Sequence, residues 1–215
     1  MMNVRFNFIK SGSSGNCVYV EGRKKFLLDC GVTLKELRQA NVDIPSLDAV
    51  FITHAHCDHF NEKTVKYLAK IGAKIYSSNG TSKDIGLQAS MDCKWAKAFR
   101  VDHEGTEPTG FIIKDNEIIV YMTDTGPIDV SFKCDVLMIE ANYSIYTEKK
   151  EIRFKRATTS HLAYEEAKQI ALASNEINPL KELHFIHISK DHGDPDYYLE
   201  DMKKTGIKAK IEVHP

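Results

Sequence analysis

The sequence predicts an α/β protein in which β-sheets pack against helices. Short β runs open the chain as hairpin-like pairs, and apolar strands then alternate with amphipathic helices. The 215 residues, 42% of them hydrophobic, suit one domain spanning 1–215 with a substantial core. No repeat or low-complexity tract divides the chain.

Val4 to Ile9 alternates apolar and polar side chains, as a half-buried strand does. Lys10-Ser11-Gly12-Ser13-Ser14-Gly15-Asn16 is a turn signal, and Cys17 to Val20 and Phe26 to Leu28 are short β runs. The turn lacks the Lys-Ser/Thr ending of a phosphate-binding loop and precedes no helix pattern, so it reads as a tight link between strands. Thr33 is positioned to cap a helix from Leu34 to about Ala40. Ala49-Val50-Phe51-Ile52 has the apolar, β-branched composition of a buried strand. Glu62 to Ile71 places Val65, Leu68 and Ala69 on one helical face, and Gly72 stops it. Lys74 to Ser77 is a strand, with a short helix after Thr81. Phe111–Lys114 and Ile118–Met122 read as a hairpin around Asp115-Asn116, and Val136–Ile139 as a buried strand. A helix over Tyr164–Ala173, a strand over Leu183–Ile188 and a last helix over Pro195–Lys204 complete the pattern.

Composition narrows the function. With 29 basic and 30 acidic residues the chain lacks the basic excess of a protein that grips long duplexes without sequence preference. Cys17, Cys30, Cys57, Cys93 and Cys134 are odd in number and form no Cys-x-x-Cys pair, which suits reduced thiols and a cytoplasmic protein. No stretch approaches the roughly 20 apolar residues of a membrane span, and the first residues do not form a signal peptide.

The chemistry is concentrated in His54-Ala55-His56-Cys57-Asp58-His59, at the end of the Ala49–Ile52 strand. Imidazole and carboxylate suit zinc and its neighbours. His54 and His56 are two apart, so in extended chain they project to one side and reach one ion. After a turn, Asp58 and His59 can face a second. Four ligand-type residues within six positions have no folding rationale. Two ions need more ligands, and isolated residues at strand ends supply them: His103 after Ala98–Val101, Asp124 after Val120–Met122, and His187 closing Leu183–Ile186. Cys57 is expected to pack away from the metals. His184, His192 and His214 show no pattern that demands a ligand role, although His192 lies close to His187.

In this order the residues resemble the metallo-β-lactamase fold superfamily over nearly the whole chain. Ser11-Gly12-Ser13-Ser14-Gly15-Asn16-Cys17, Glu140-Ala141-Asn142-Tyr143 and His187-Ile188-Ser189-Lys190 are closer to its YycJ/WalJ-like metallohydrolases. Ser160-His161-Leu162-Ala163 resembles a motif shared with the tRNase Z nucleases, in which a histidine sits near the reacting phosphate; here Ser160 replaces the usual glycine. The resemblance implies a four-layer αβ/βα sandwich of two mixed sheets flanked by helices, carrying two divalent ions, zinc foremost, with manganese or iron as alternatives. It implies that His54, His56 and His103 hold one ion, that Asp58, His59 and His187 hold the other, and that Asp124 bridges them. A shared water would then attack, oriented by Asp58, while His161 donates a proton. The chain is too short for the inserted domain of RNase J or the protruding arm that tRNase Z uses on tRNA, which argues against those two activities.

The expected function is a dinuclear hydrolase, foremost a phosphodiesterase or nuclease acting on DNA, RNA or a cyclic nucleotide, as a monomer or homodimer. Five of the eight residues from Lys149 to Arg156 are basic, which makes Arg153 and Arg156 candidate phosphate contacts. A thioester, lactam or lactone hydrolase on the same metals is the alternative, but it does not account for the His161 motif. A di-iron redox protein and an inactive binding module rank lower, the first because His56 stands where such sites carry glutamate.

Overall fold

The structure, a computed structural model, describes residues 4–91, 93–146 and 160–215. It is of the α/β class, as the sequence pattern predicts, with the two mixed β-sheets flanked by helices that the family resemblance implies. The chain divides into two compact units, Met1–Arg100 with Gly105–Asn116, and Val101–Glu104 with Glu117–Pro215.

The first unit contains a five-stranded sheet of β1 (Arg5–Lys10), β2 (Cys17–Glu21), β3 (Lys25–Leu28), β4 (Ala49–Phe51) and β5 (Lys74–Tyr76), in that order. β1, β2 and β3 pair antiparallel, and β3, β4 and β5 pair parallel. The change of direction follows the connections. A turn suffices for antiparallel neighbours, whereas parallel ones require a crossover, supplied by α1 (Leu34–Gln39) and α2 (Glu62–Lys70). Leu37 of α1 and Val65 and Leu68 of α2 pack with Leu27, Val50, Ile52 and Ile75. Phe51, next along β4, instead stacks on Tyr76 at 5.1 Å and meets Phe111 at 5.1 Å. Burial on both faces explains why β4 reads as an unbroken apolar run. α3 (Asn79–Asp84) starts before Thr81 because Ser78 caps it. β6 (Ala96–Arg100) and β7 (Thr109–Lys114) pair antiparallel.

In the second unit β8 (Ile118–Met122), β9 (Val136–Glu140), β10 (Glu182–Ile186) and β11 (Lys210–Val213) are all parallel. α4 (Tyr164–Ile177) and α5 (Pro195–Lys203) provide crossovers. α4 runs one turn beyond the Ala173 that the sequence suggests. β10 stops at Ile186, two residues short of the expectation, because His187 has a φ of +54° and leaves the extended region. β11 has no counterpart in the sequence reading. Among the described residues, no helix is long and apolar enough to cross a membrane.

Glu36 ties β1 to α1. Its carboxylate takes Lys10 Nζ at 2.6 Å and the Thr33 amide at 2.7 Å, while Thr33 caps the helix. The Lys10 hydrogen bond, then those from Thr33, lower its pKa from 4.5 to about 2. The folded value lies below the unfolded one, so this stabilisation is complete above about pH 4.5 and fades as pH falls through about 2. Glu36→Gln should therefore lower the melting temperature at pH 6, with the deficit shrinking steadily below pH 4.5. An equal deficit at pH 6 and pH 2 would contradict this.

Candidate metal centre

In the first unit the histidine run leaves the carboxyl end of β4 and is tied to two other segments. Asn16 N–H donates to Asp58 O at 2.6 Å, Cys30 N–H donates to His59 O at 2.9 Å, and Asn61 N–H donates to Cys30 O at 2.7 Å. Gly31 makes this close approach feasible: a Cβ there would stand 1.7 Å from Asp58 O. His54 Nε2 and His56 Nδ1 converge to 3.0 Å. That is near the separation of roughly 3.3 Å expected of two donors on one tetrahedral zinc with bonds of about 2.0–2.1 Å.

Behind the run lies Asp29, fully buried and just past β3. One oxygen accepts the Thr53 amide at 2.8 Å, and the Thr53 hydroxyl donates at 2.9 Å. The other takes His59 Nδ1 at 2.8 Å. With Nδ1 engaged, His59 presents Nε2, which lies 3.4 Å from Asp58 Oδ2 and 2.9 Å from the Asn16 amide nitrogen. A carboxylate on the far nitrogen of an imidazole sets its tautomer and raises its basicity toward a metal.

The second unit repeats the device at the carboxyl ends of its parallel strands, where ligands of open α/β sheets bind. Asp124 follows β8, Glu140 ends β9 and His187 follows β10. Asp124 Oδ2 accepts the Thr123 hydroxyl at 2.8 Å. Its Oδ1 lies 3.7 Å from His103 Nε2 and 3.5 Å from His187 Nε2, between two imidazoles that both point toward it. His103 Nδ1 donates to Ser160 O at 2.9 Å, leaving Nε2 as the donor toward a metal. Burial lowers the His103 pKa, against the opposing pull of Asp124 and the Ser160 carbonyl. A neutral imidazole is the form that binds a metal.

Glu140 is fully buried and holds two imidazoles on one oxygen, His187 Nδ1 at 2.9 Å and His161 Nδ1 at 2.6 Å. Its other oxygen accepts the amides of Thr125 at 3.0 Å and Leu162 at 3.3 Å. Burial alone would raise the Glu140 pKa, but the charge and hydrogen bonds of His161 and His187 bring it below the ordinary value. Burial would likewise lower that of His161, yet the charge and hydrogen bond of Glu140, followed by Asp124, carry it upward. His161 is thus anchored through Nδ1 with its charged form favoured, and its side chain is 21% exposed.

His54, His56, Asp58 and His59 therefore gather in the first unit, and His103, Asp124, His161 and His187 in the second. Arg153, Arg156 and the whole Lys149–Arg156 stretch lie outside the described residues. Cys57 is exposed rather than packed, because it sits at the outer edge of the turn. It lines a cleft of about 800 Å³ beside the run, together with Lys35 and Lys63. His192 is buried and belongs to no cluster of metal-ligand type among the described residues. Ligand spacing in the sequence does not single out Asp29, Glu140 or Asn16. Glu140 and Asn16 lie in the motifs that carry the family resemblance, and that is the signal by which they could have been found.

The clusters have the donor chemistry of a divalent-metal site: imidazole nitrogens and carboxylate oxygens, with the far ring nitrogens of His59 and His187 occupied by buried carboxylates. With its two mixed sheets the chain has the metallo-β-lactamase fold. It superposes on the metallo-β-lactamase fold protein YhfI from Bacillus subtilis with a TM-score of 0.74, covering 98% of this chain and 95% of that one, at 19% identity. In sequence it is similar to the exodeoxyribonuclease WalJ of Streptococcus pneumoniae, 27% identical over 223 residues that cover 87% of this chain and 82% of WalJ. It is also similar to the ribonuclease Z of Clostridium acetobutylicum, 36% identical over 105 residues, 44% of this chain and 31% of that protein. Residues 4–67 match the family model of the anti-Pycsar protein Apyc1.

If the buried carboxylates orient the ligands, Asp29→Asn and Glu140→Gln should each weaken divalent-metal binding by about 10–100-fold. Metal titration of the metal-free variants, with folding checked by circular dichroism, measures this. Unchanged affinity in both variants would remove the orienting role.

Proposed function

We propose that this chain is a metal-dependent phosphodiesterase, a nuclease acting on DNA or RNA, that carries divalent ions on His54, His56, Asp58, His59, His103, Asp124 and His187. These seven ligands exceed the four of a tetrahedral ion, which supports two ions, with zinc the best match to a histidine-rich set. When bound, the ions supply Lewis acidity and a water acidified toward neutral pH.

The remaining chemistry belongs to the chain. Asp58 orients the attacking water. Asp124, between His103 and His187, holds both imidazoles to a common centre. His161 donates from Nε2 to a phosphate oxygen or to the leaving oxygen, and Glu140 keeps it charged for that task. The observation that carries the reading is the 2.6 Å hydrogen bond from His161 Nδ1 to Glu140, which anchors the ring beside the ligands and favours its cationic form. A phosphodiester, negatively charged throughout its cleavage, uses such a cation; a neutral lactam or thioester has less need of one. Lys35 and Lys63 on the cleft suit a phosphate backbone. Arg153 and Arg156 are proposed as further phosphate contacts. Similarity to a protein named an exodeoxyribonuclease, WalJ, supports DNA among the polymers.

Asp124→Ala should nearly abolish turnover. His161→Ala should lower kcat by about 10²–10⁴-fold while the metal content stays unchanged; loss of an ion by elemental analysis would put His161 among the ligands instead. Metal-loaded protein offered bis-p-nitrophenyl phosphate, single- and double-stranded DNA, RNA, cyclic nucleotides, nitrocefin and a glutathione thioester should cleave phosphodiesters. Cleavage of only the last two would refute the proposal.

A further inference from the structure

The second unit carries another cluster of ligand-type side chains, on β10 and β11. In the parallel register of these strands His184 lies opposite Glu212, and Glu182 lies opposite Lys210. The pairing extends past β11, because His214 N–H donates to Phe185 O at 2.9 Å. Side chains two apart on a strand share a face. Glu182 and His184 of one strand therefore meet Lys210, Glu212 and His214 of the other.

We propose that His184 Nδ1, His214 Nε2 and Glu212 Oε2 form a further divalent-metal site of the zinc class, separate from the hydrolytic centre. The donor atoms make a compact triangle. His184 Nδ1 is 3.1 Å from His214 Nε2 and 3.3 Å from Glu212 Oε2, and the remaining edge is 3.8 Å. Donors on a tetrahedral zinc stand roughly 3.3 Å apart when its bonds are about 2.0–2.1 Å. Three protein donors leave the fourth position to water.

The surroundings of the triangle point the same way. Glu182 Oε2 lies 3.2 Å from His184 Nε2, the far nitrogen of the ring. At ion-pair distance this is a looser counterpart of the hydrogen bonds from Asp29 to His59 and from Glu140 to His187. Lys210 Nζ holds Glu212 through Oε1 at 2.7 Å, which leaves Oε2 to face the histidines. His184 is fully buried, so its ring cannot turn to water for a partner. Its Nδ1 faces His214 Nε2 at 3.1 Å and Glu212 Oε2 at 3.3 Å, three lone-pair-bearing atoms that need a cation or a shared proton among them. The competing occupant of that position is a proton shared between the facing nitrogens of His184 and His214.

An ion there ties the edge strand β11 to β10, the strand that carries His187 at its end. It stabilises the fold without taking part in hydrolysis.

Zinc titration of the full, metal-stripped chain distinguishes the two occupants. By elemental analysis His214→Ala should bind one zinc fewer per chain than the wild type, and Glu212→Gln should lose the same ion. Glu182→Gln should weaken that one ion by about 10–100-fold and leave the others in place. In an Asp124→Ala background, zinc should still raise the melting temperature, and adding His214→Ala should remove that rise. Hydrolysis of bis-p-nitrophenyl phosphate by His214→Ala should match the wild type. Equal zinc content in the wild type, His214→Ala and Glu212→Gln would overturn the proposal and leave the proton as occupant. Glu212→Gln keeps the shape of the glutamate, so it remains a valid test should His214→Ala fail to fold.

Discussion

A buried carboxylate on the far nitrogen of an imidazole is the interaction on which the rest of this structure depends. Moving an ionised carboxylate out of water costs several kcal/mol unless partners replace the lost hydration. Asp29 and Glu140 are both fully buried and both well supplied. Asp29 has the amide and hydroxyl of Thr53 besides His59, and Glu140 has the amides of Thr125 and Leu162 besides His161 and His187. These partners come from segments distant in sequence. Forming the acid's hydrogen bonds therefore brings together the segments that carry the ligands, and folding and site assembly become one event.

The backbone at these places departs from regular structure. Asp29, Asp124 and His187 have φ values of +53°, +48° and +54°. Each follows the end of a strand. A non-glycine residue held in this region costs on the order of 1–3 kcal/mol, and such residues concentrate at functional sites. The left-handed step turns the side chain out of the strand's alternation and toward the cluster. Gly31 meets the same need by other means, since only the missing Cβ lets Cys30–Gly31 pass against the backbone of Asp58.

The candidate ligands stood out because they break the statistics of ordinary sequence: four within six positions, and lone histidines and an aspartate at strand ends. The α/β class was legible from alternation, and β4 from its unbroken apolar run. The orienting acids were not. Asp29 after Leu27-Leu28 and Glu140 after Ile139 look like the polar residue that ends any strand. Only three-dimensional pairing with His59, His161 and His187 sets them apart. β11 was missed because Lys-Ile-Glu-Val is four residues long, too short for alternation to stand out. The pairing of His184 with His214, thirty residues apart, depends on the register of two parallel strands, and single-strand patterns do not contain it. Asn16 lay within a turn signal that predicted the turn but not its hydrogen bond to the histidine run.

The central claim is that Asp29 and Glu140 fix which nitrogen each ligand histidine offers to a metal. The tautomers of the ring-labelled, zinc-loaded protein, read by ¹⁵N NMR correlation through the imidazole carbons, test it directly. His59 and His187 should carry a proton on Nδ1 and zinc on Nε2. Zinc on Nδ1 of either ring, with its carboxylate displaced, would contradict the account.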